Sequence, residues 1–533
     1  MEHPKLEKII DTFFKCDKAE LLKIFDELLT ALEAEENAQP SRMMSQNYET
    51  AQANPEIHTL PGNLKDARDA IFPYYWGTDG WFSRLHLENV KGPANYASLV
   101  GTIACLLKNP NLCVDTYSQR SNELEVKAIT ALANLLFYHT DSPWGVFTIG
   151  GTISNLYAGK IGIERVCPGV SGRGLAGEKI AGIASRAAHY SNETLADWLG
   201  IGRDNLQAIP TDGKFSMRLD LLEKEMDRLY QEKFKIAFII TTFGTTDAFG
   251  IDDILQIKEI AIAKSGQYKV PCPQIHVDAA AGWPLSFLAE YDTVANKLGF
   301  SASILPIIRK AQEQCESLKS ADSVTIDFHK MGWGHYPSSA FIVNKKENLA
   351  PLFRKTEDMP YFSEADYRRD PALFTLETSR PAIGPYSVMA SLNGIGLIGY
   401  QILVAHALEM ADYLKKRLAE LEYCMLLNPH SLGPHVVWWV LPKGRNAREI
   451  YNRLVRGELD EKSCARYFEE IRRLFLKRRN IASDNRRDAS LSFTTSTGYE
   501  PNGIPLPAWK AVFFNPKTDK QVIDDLIASL EEI

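Results

Sequence analysis

Between residues 85 and 345 the chain alternates short apolar runs with longer amphipathic ones. WGVFTI, KIAFIITTF, QIHVDAA, SVTIDF and SAFIV carry little polar alternation, whereas NELEVKAITALANLLF spaces its apolar residues at helical intervals. Strands without alternation are covered on both faces, and intervening helices supply the cover, so the pattern predicts an α/β domain built on a mainly parallel sheet. Upstream, Leu6, Ile9, Ile10, Phe13 and Phe14, then Leu21, Leu22, Phe25, Leu28 and Leu29, mark two amphipathic helices within residues 4–35. The polar stretch from Glu36 to Glu56 reads as a linker or extended arm.

After Pro381 a helix of small residues leads into a second pattern. ALEMADYLKKRLAELE is helical, HVVWWVLP is strand-like, and AREIYNRLVR and ARYFEEIRRLFLKRR are helical again, which predicts a smaller α+β domain. The expected division is residues 1–84 as N-terminal helices and arm, 85–395 as the large domain and 396–533 as the small one. No internal repeat is visible.

Composition changes this picture little. With 533 residues, 45% hydrophobic and 24% charged, the chain can bury a large core. A formal charge of −7 gives no field for polyanions, so no nucleic-acid partner is expected, and the basic run around Arg472 and Arg473 reads as a solvated helix end. Eight cysteines without a CxxC pair predict reduced thiols and no metal cluster. The charged first turns lack a secretory pattern, so a cytoplasmic location is expected. From Pro381 to Leu408 there is no Asp, Glu, Lys or Arg, yet Asn393, Gln401 and His406 interrupt the stretch and Gly394, Gly396 and Gly399 favour close packing. A buried helix is expected there, with no membrane span.

The chemistry concentrates at the ends of apolar runs. In IDFHKMGWGHY, Lys330 follows a buried strand, where an ammonium ion is costly without a partner. A desolvated lysine becomes an amine nucleophile towards aldehydes. In FTIGGTISNLYAGK, Gly151 and Thr152 offer backbone N–H groups and a hydroxyl to a phosphate, although an ordinary strand-to-helix turn looks the same. In IHVDAAAGWP, Asp278 either caps a helix or faces a cationic ring nitrogen, with Ala280 small enough for a flat ring. A phosphate cup, an acid for a pyridinium and an amine for an aldehyde together describe pyridoxal 5′-phosphate.

AAHYSNETLADWLGI, TTFGTTDAFGIDDI, HVDAA and SADSVTIDFHKMG follow one another in an order and spacing that resembles the group II pyridoxal-phosphate-dependent amino-acid decarboxylases, over roughly residues 85–400. That family includes the aromatic, tyrosine, glutamate and histidine decarboxylases. The resemblance implies the fold type I, aspartate aminotransferase-like architecture, with a seven-stranded large-domain sheet beside the α+β domain. It also implies a homodimer with shared active sites that releases CO2 and a primary amine from an L-amino acid. By motif, Lys330 would bind the cofactor's aldehyde and Asp278 its ring nitrogen. His189 would stack on one ring face with Ala280 on the other, Thr246 would lie near the ring, and Gly151, Thr152 and His329 would hold the phosphate.

Tyr336, six places after Lys330, is the family-based choice for the acid that protonates Cα, with a packing role as the alternative. The HKMG motif inclines the substrate towards tyrosine or another aromatic amino acid. Gln119 and Arg120 stand where many relatives have Pro-Ala, which keeps aspartate or glutamate open as substrates. Another carbon–carbon lyase on the same fold, or a silent scaffold, are further alternatives. Phe328 replaces the proline that many relatives carry before His-Lys, and Ser379 or Arg380 would approach a neighbouring subunit's site.

Overall fold

The computed structural model describes residues 4–13, 18–36, 48–53, 62–75, 82–138, 144–355, 370–484 and 488–532. The unalternating apolar runs are strands, and they form one sheet of seven in the order β1-β7-β6-β5-β4-β2-β3. These are β1 (Trp144–Thr148), β2 (Ile180–Ser185), β3 (Leu206–Ile209), β4 (Lys235–Thr242), β5 (Gln274–Asp278), β6 (Ser323–Asp327) and β7 (Ser339–Val343). Every residue of β2, β5, β6 and β7 is buried, as strands covered on both faces must be. The β6–β5, β5–β4, β4–β2 and β2–β3 pairs are parallel, while β7 runs antiparallel to both neighbours. Residues 328–338 join β6 to β7, too short a link for the crossover that a parallel pair needs. That link carries Lys330.

A second, four-stranded antiparallel sheet has the order β10-β11-β9-β8, with β8 (Cys424–Leu426), β9 (His435–Val440), β10 (Ser492–Thr494) and β11 (Ala508–Val512). Its core holds Trp438, Trp439 and Trp509, all fully buried. The Trp439 and Trp509 indole N–H groups donate to the carbonyls of Pro507 (2.6 Å) and Ile471 (3.1 Å). Residues 85–87, assigned by sequence to the large domain, pack on this sheet: Val512 N–H donates to the Leu87 carbonyl at 2.9 Å.

The two N-terminal helices occupy Pro4–Phe13 and Lys18–Glu36. The stretch read as a linker contains a short helix, Tyr48–Ala53; its residues 37–47 and 54–56 lie outside the described ones. The long helix Ile383–Ala419 spans the expected 395/396 boundary and kinks at Gly396 (φ 71°, ψ 168°). Its first half packs against the helix Tyr96–Lys108 at close range, since a Cβ on Gly101 would fall 2.3 Å from the Tyr386 carbonyl oxygen. Among the described residues it alone is long and apolar enough to cross a membrane by composition, and about 33% of its most apolar stretch is buried. Gly394 faces Ala97 of the neighbouring helix while Leu397, Ile398 and Ile402 are exposed, so the helix is less buried in this chain than its sequence suggests.

Arg380 has a structural place. Its guanidinium meets Glu125 in a bidentate pair (2.6 and 3.1 Å), both side chains being buried, and donates to the carbonyls of Phe147 and Leu112. Glu125 in turn accepts the Phe147 N–H at 2.9 Å, so the pair fastens the helix Arg120–Leu135 to β1. Removing one partner of such a pair strands a buried charge. Arg380→Ala should therefore lose about 3–5 kcal/mol in urea unfolding, whereas the double change to Leu and Met should cost far less.

Candidate active site

The carboxyl ends of β1, β2, β4, β5 and β6 open on one cleft. It is lined by Gly151, Thr152, His189, Ser191, Thr242, Gly244, Thr246, Asp278, Ala280, Ala281, Asp327 and Lys330. Open α/β sheets place ligands at this edge because loops diverge there and helix N-termini point into the gap. Seven of the sequence-chosen residues therefore meet: Gly151, Thr152, His189, Thr246, Asp278, Ala280 and Lys330.

Asp278 ends β5 with one oxygen accepting the Ala280 N–H (3.1 Å) and the other accepting Asn155 Nδ2 (3.0 Å). The first bond makes a local turn, and the carboxylate still lines the cleft. Asn155 is held by His276, whose Nε2 lies 3.0 Å from the Asn155 Oδ1 and whose Nδ1 lies 2.8 Å from Ser323 Oγ. Burial pushes His276 down to about 4, so the ring is neutral. A neutral ring that donates from Nε2 to the amide oxygen points the Asn155 NH2 at Asp278. This network was invisible in sequence, because Asn155 and His276 meet across strands.

The same burial has a consequence for stability. A histidine held near 4 when folded and at its ordinary 6.5 when unfolded binds its proton in the unfolded chain first. Its contribution is present above pH 6.5 and is lost as pH falls towards 4. Between pH 7 and 5 the loss should be roughly 2 kcal/mol in urea unfolding, and His276→Gln should flatten that share of the slope.

His189 follows β2, its Nδ1 lying 2.8 Å from Ser191 Oγ, and burial lowers its pKa, which keeps the imidazole neutral for stacking. Thr246 lies in the turn after β4. Gly244 there adopts φ 95°, and a Cβ on it would fall 3.0 Å from Gly282, so the loops after β4 and β5 close on each other only with glycine.

Lys330 is less solitary than its sequence setting suggests. Its Nζ lies 3.0 Å from Asp327 Oδ2, an acid at the end of β6 that the motif reading passed over. Phe328 is fully buried against Trp283, with ring centroids 5.2 Å apart, and its N–H donates to the Ser338 carbonyl at 3.0 Å, a bond no proline could make. The turn that presents Lys330 is thus fixed by packing where relatives use a ring.

His329 and Tyr336 are placed differently from the other chosen residues. His329 is buried behind Asp327, with Nε2 3.7 Å from Oδ2 and Nδ1 without a hydrogen-bond partner. Tyr336 stacks on it at 3.6 Å between centroids, remains 51% exposed and is not among the cleft-lining residues. Partial burial and then the Asp327 charge push its phenol up to about 12. Arg120 projects away with 89% of its side chain exposed, paired to Glu123 at 3.1 Å. Ser379 accepts from Asn111 Nδ2 at 3.1 Å.

An amine, an acid fixed by three groups behind it, a neutral imidazole and a helix N-terminus facing one cleft form a donor set that fits pyridoxal phosphate. Residues 40–440 match the sequence profile of the pyridoxal-dependent decarboxylase conserved domain. The chain belongs to this family.

Relatives agree at low identity. The acidic amino acid decarboxylase GADL1 of Bos taurus is 25% identical over 359 residues, 67% of this chain and 63% of that protein. The L-2,4-diaminobutyrate decarboxylase of Rhizobium meliloti is 26% identical over 348 residues, covering 64% of this chain and 62% of its own. The chain thus spans less than two thirds of the length of these two curated relatives. The crystal structure of mouse CSAD in apo form superposes with a TM-score of 0.76 at 17% identity, covering 96% of this chain and 99% of that one, which shows the shared fold type I architecture. In a family defined by pyridoxal phosphate, Lys330, Asp278 and His189 are the residues here that would hold it, with Gly151 and Thr152 at its phosphate.

Proposed function

We propose that the chain is a pyridoxal-phosphate-dependent decarboxylase that releases CO2 and a primary amine from an L-amino acid. The observation that carries this reading is the convergence of Lys330, Asp278 and His189 on one cleft. The cofactor, when bound, supplies an electron sink for the pair left behind by departing CO2. Asp278 holds a proton at the ring nitrogen, and the Asn155–His276 network keeps its carboxylate aimed. His189, Ala280 and Lys330 all line the cleft: the first two would confine the ring, and the Lys330 amine would hold the cofactor through its aldehyde. Tyr336 stacks on His329, and Tyr336→Phe, which keeps the ring and removes the hydroxyl, separates a packing role, with activity kept, from that of the acid at Cα, with activity lost.

For the substrate, the HKMG motif supports an aromatic L-amino acid, and Lys330 is the one lysine or arginine among the cleft-lining residues. The relatives' names favour a second reading, decarboxylation of an acidic or diamino acid. Incubation with Tyr, Phe, Trp, Asp, Glu and diaminobutyrate, with CO2 and amine detection, separates the two. Amine from tyrosine supports the first reading. Amine from the acidic substrates alone sinks it, and aldehyde with ammonia sinks decarboxylation to an amine altogether.

The assembly is a homodimer in this reading. Val100, Leu106 and Leu107 on one helix and Leu397, Ile398 and Ile402 on its neighbour leave an exposed apolar face suited to a second copy. Sedimentation should give twice the chain mass of 59.8 kDa; the single mass would contradict it. Seven free cysteines among the described residues support a reducing, cytoplasmic setting.

A further inference from the structure

We propose that Asp327 is a positioning residue and proton partner for Lys330, holding its ammonium ready and taking a proton as the amine attacks the cofactor's aldehyde. The proposal rests on the reading of Lys330 as the attachment point. Asp327 is 4% exposed yet lines the cleft. One oxygen lies 3.0 Å from Lys330 Nζ, and the other accepts the Ser339 hydroxyl at 2.5 Å, so β7 fixes its orientation. A Cβ on Gly151 would fall 3.1 Å from both carboxylate oxygens, which places this acid at the N-terminus of the helix Gly151–Val166. A carboxylate there opposes a phosphate at the same helix end, so phosphate binding gives no reason for it. A buried carboxylate needs a cation, and Lys330 is that cation.

Burial raises the Asp327 pKa, but the Lys330 ammonium, the His329 ring and the Ser339 hydroxyl outweigh it and hold the group ionised. Other groups facing the pair are Tyr336 on the same turn, His189 after β2, Asp278 of β5 and His435 of β9.

An ammonium has no free electron pair, so Nζ first passes one proton to Oδ2. The neutral amine then forms the new C–N bond, and one of its protons moves to the aldehyde oxygen. Asp327 returns its proton to that oxygen as the C–O bond breaks and water leaves, with one proton kept on nitrogen. Ammonium and aldehyde have become protonated imine and water, and Asp327 is ionised again.

The test uses the full chain stripped of cofactor. Stopped-flow absorbance gives the rate of imine formation with pyridoxal 5′-phosphate from pH 6 to 9. Tryptophan quenching gives the affinity for pyridoxine 5′-phosphate, which has no aldehyde. Asp327→Asn should slow imine formation by about 100-fold at pH 7, with a rate that climbs with pH more steeply than the wild type's. Its pyridoxine phosphate affinity should fall by less than about threefold, or rise. A wild-type rate and pH profile would overturn the proposal, and so would an equal loss of rate and analogue affinity, which marks a structural role. Should Asp327→Asn fail to fold, Ser339→Ala serves, with a smaller slowing expected and an unchanged rate overturning the proposal. If the wild type binds the analogue but forms no imine, the reading of Lys330 fails first and the Asp327 role falls with it.

Discussion

Lys330→Ala is expected to lose decarboxylation by about 1,000-fold or more and to lose the visible absorption that the wild type shows with pyridoxal phosphate. Lys330 is the one amine among the cleft-lining residues, and an alanine offers no nucleophile to the aldehyde. The substitution also leaves Asp327 buried without its cation at 3.0 Å. Some loss of folded stability should accompany the loss of activity, because an uncompensated internal carboxylate is costly. Absorbance, amine release and urea unfolding on one preparation separate these effects. An alanine variant that keeps both the band and the turnover would remove Lys330 from the mechanism.

Asp278→Asn should lower kcat by about 100-fold or more while the visible band persists, shifted in wavelength. Attachment through Lys330 does not need the acid, but a proton on the ring nitrogen does. The geometry makes asparagine a poor replacement: the Asn155 NH2 already points at this position from 3.0 Å, and His276 and Ser323 prevent it from turning round. An amide can offer its oxygen to Asn155 or to the ring, but it carries no charge to hold a proton there. Asn155→Leu should reproduce part of the loss. Turnover close to wild type in Asp278→Asn would show that the acid serves only its turn with Ala280.

Much of this site was legible because its residues lie at the ends of apolar strands, where a local pattern marks both the strand and the point at which it stops. Lys330, Asp278 and Gly151 share that signal, whereas His189 and Thr246 came through the resemblance of AAHYS and FGTTDAFG. Asp327 had the same signal, as the last residue of SVTID, but the motif drew attention to the lysine beside it. Asn155 had none: it lies inside a helix, and its role depends on a histidine 121 positions away.

The fold shows the same division. The five strands of unbroken bulky apolar residues were readable, whereas β2, IAGIAS, is made of small residues with weak strand preference and β3 is a short, partly exposed edge. Residues 85–87 joined the small domain because their partners, Ser490 and Val512, lie some 400 positions on, beyond what periodicity can report. Helix existence was well marked on the long apolar stretch after Pro381. Its exposed face was not, since an apolar face left at the surface has the same composition as one buried in a core.

A covalent bond between one lysine and the cofactor's aldehyde is the central requirement of this chemistry. Borohydride reduction of the pyridoxal-phosphate-loaded protein, digestion and mass spectrometry should find the pyridoxyl group on the peptide containing Lys330 and on no other. Label on a different lysine, or none after reduction of a protein that binds the cofactor, would contradict it.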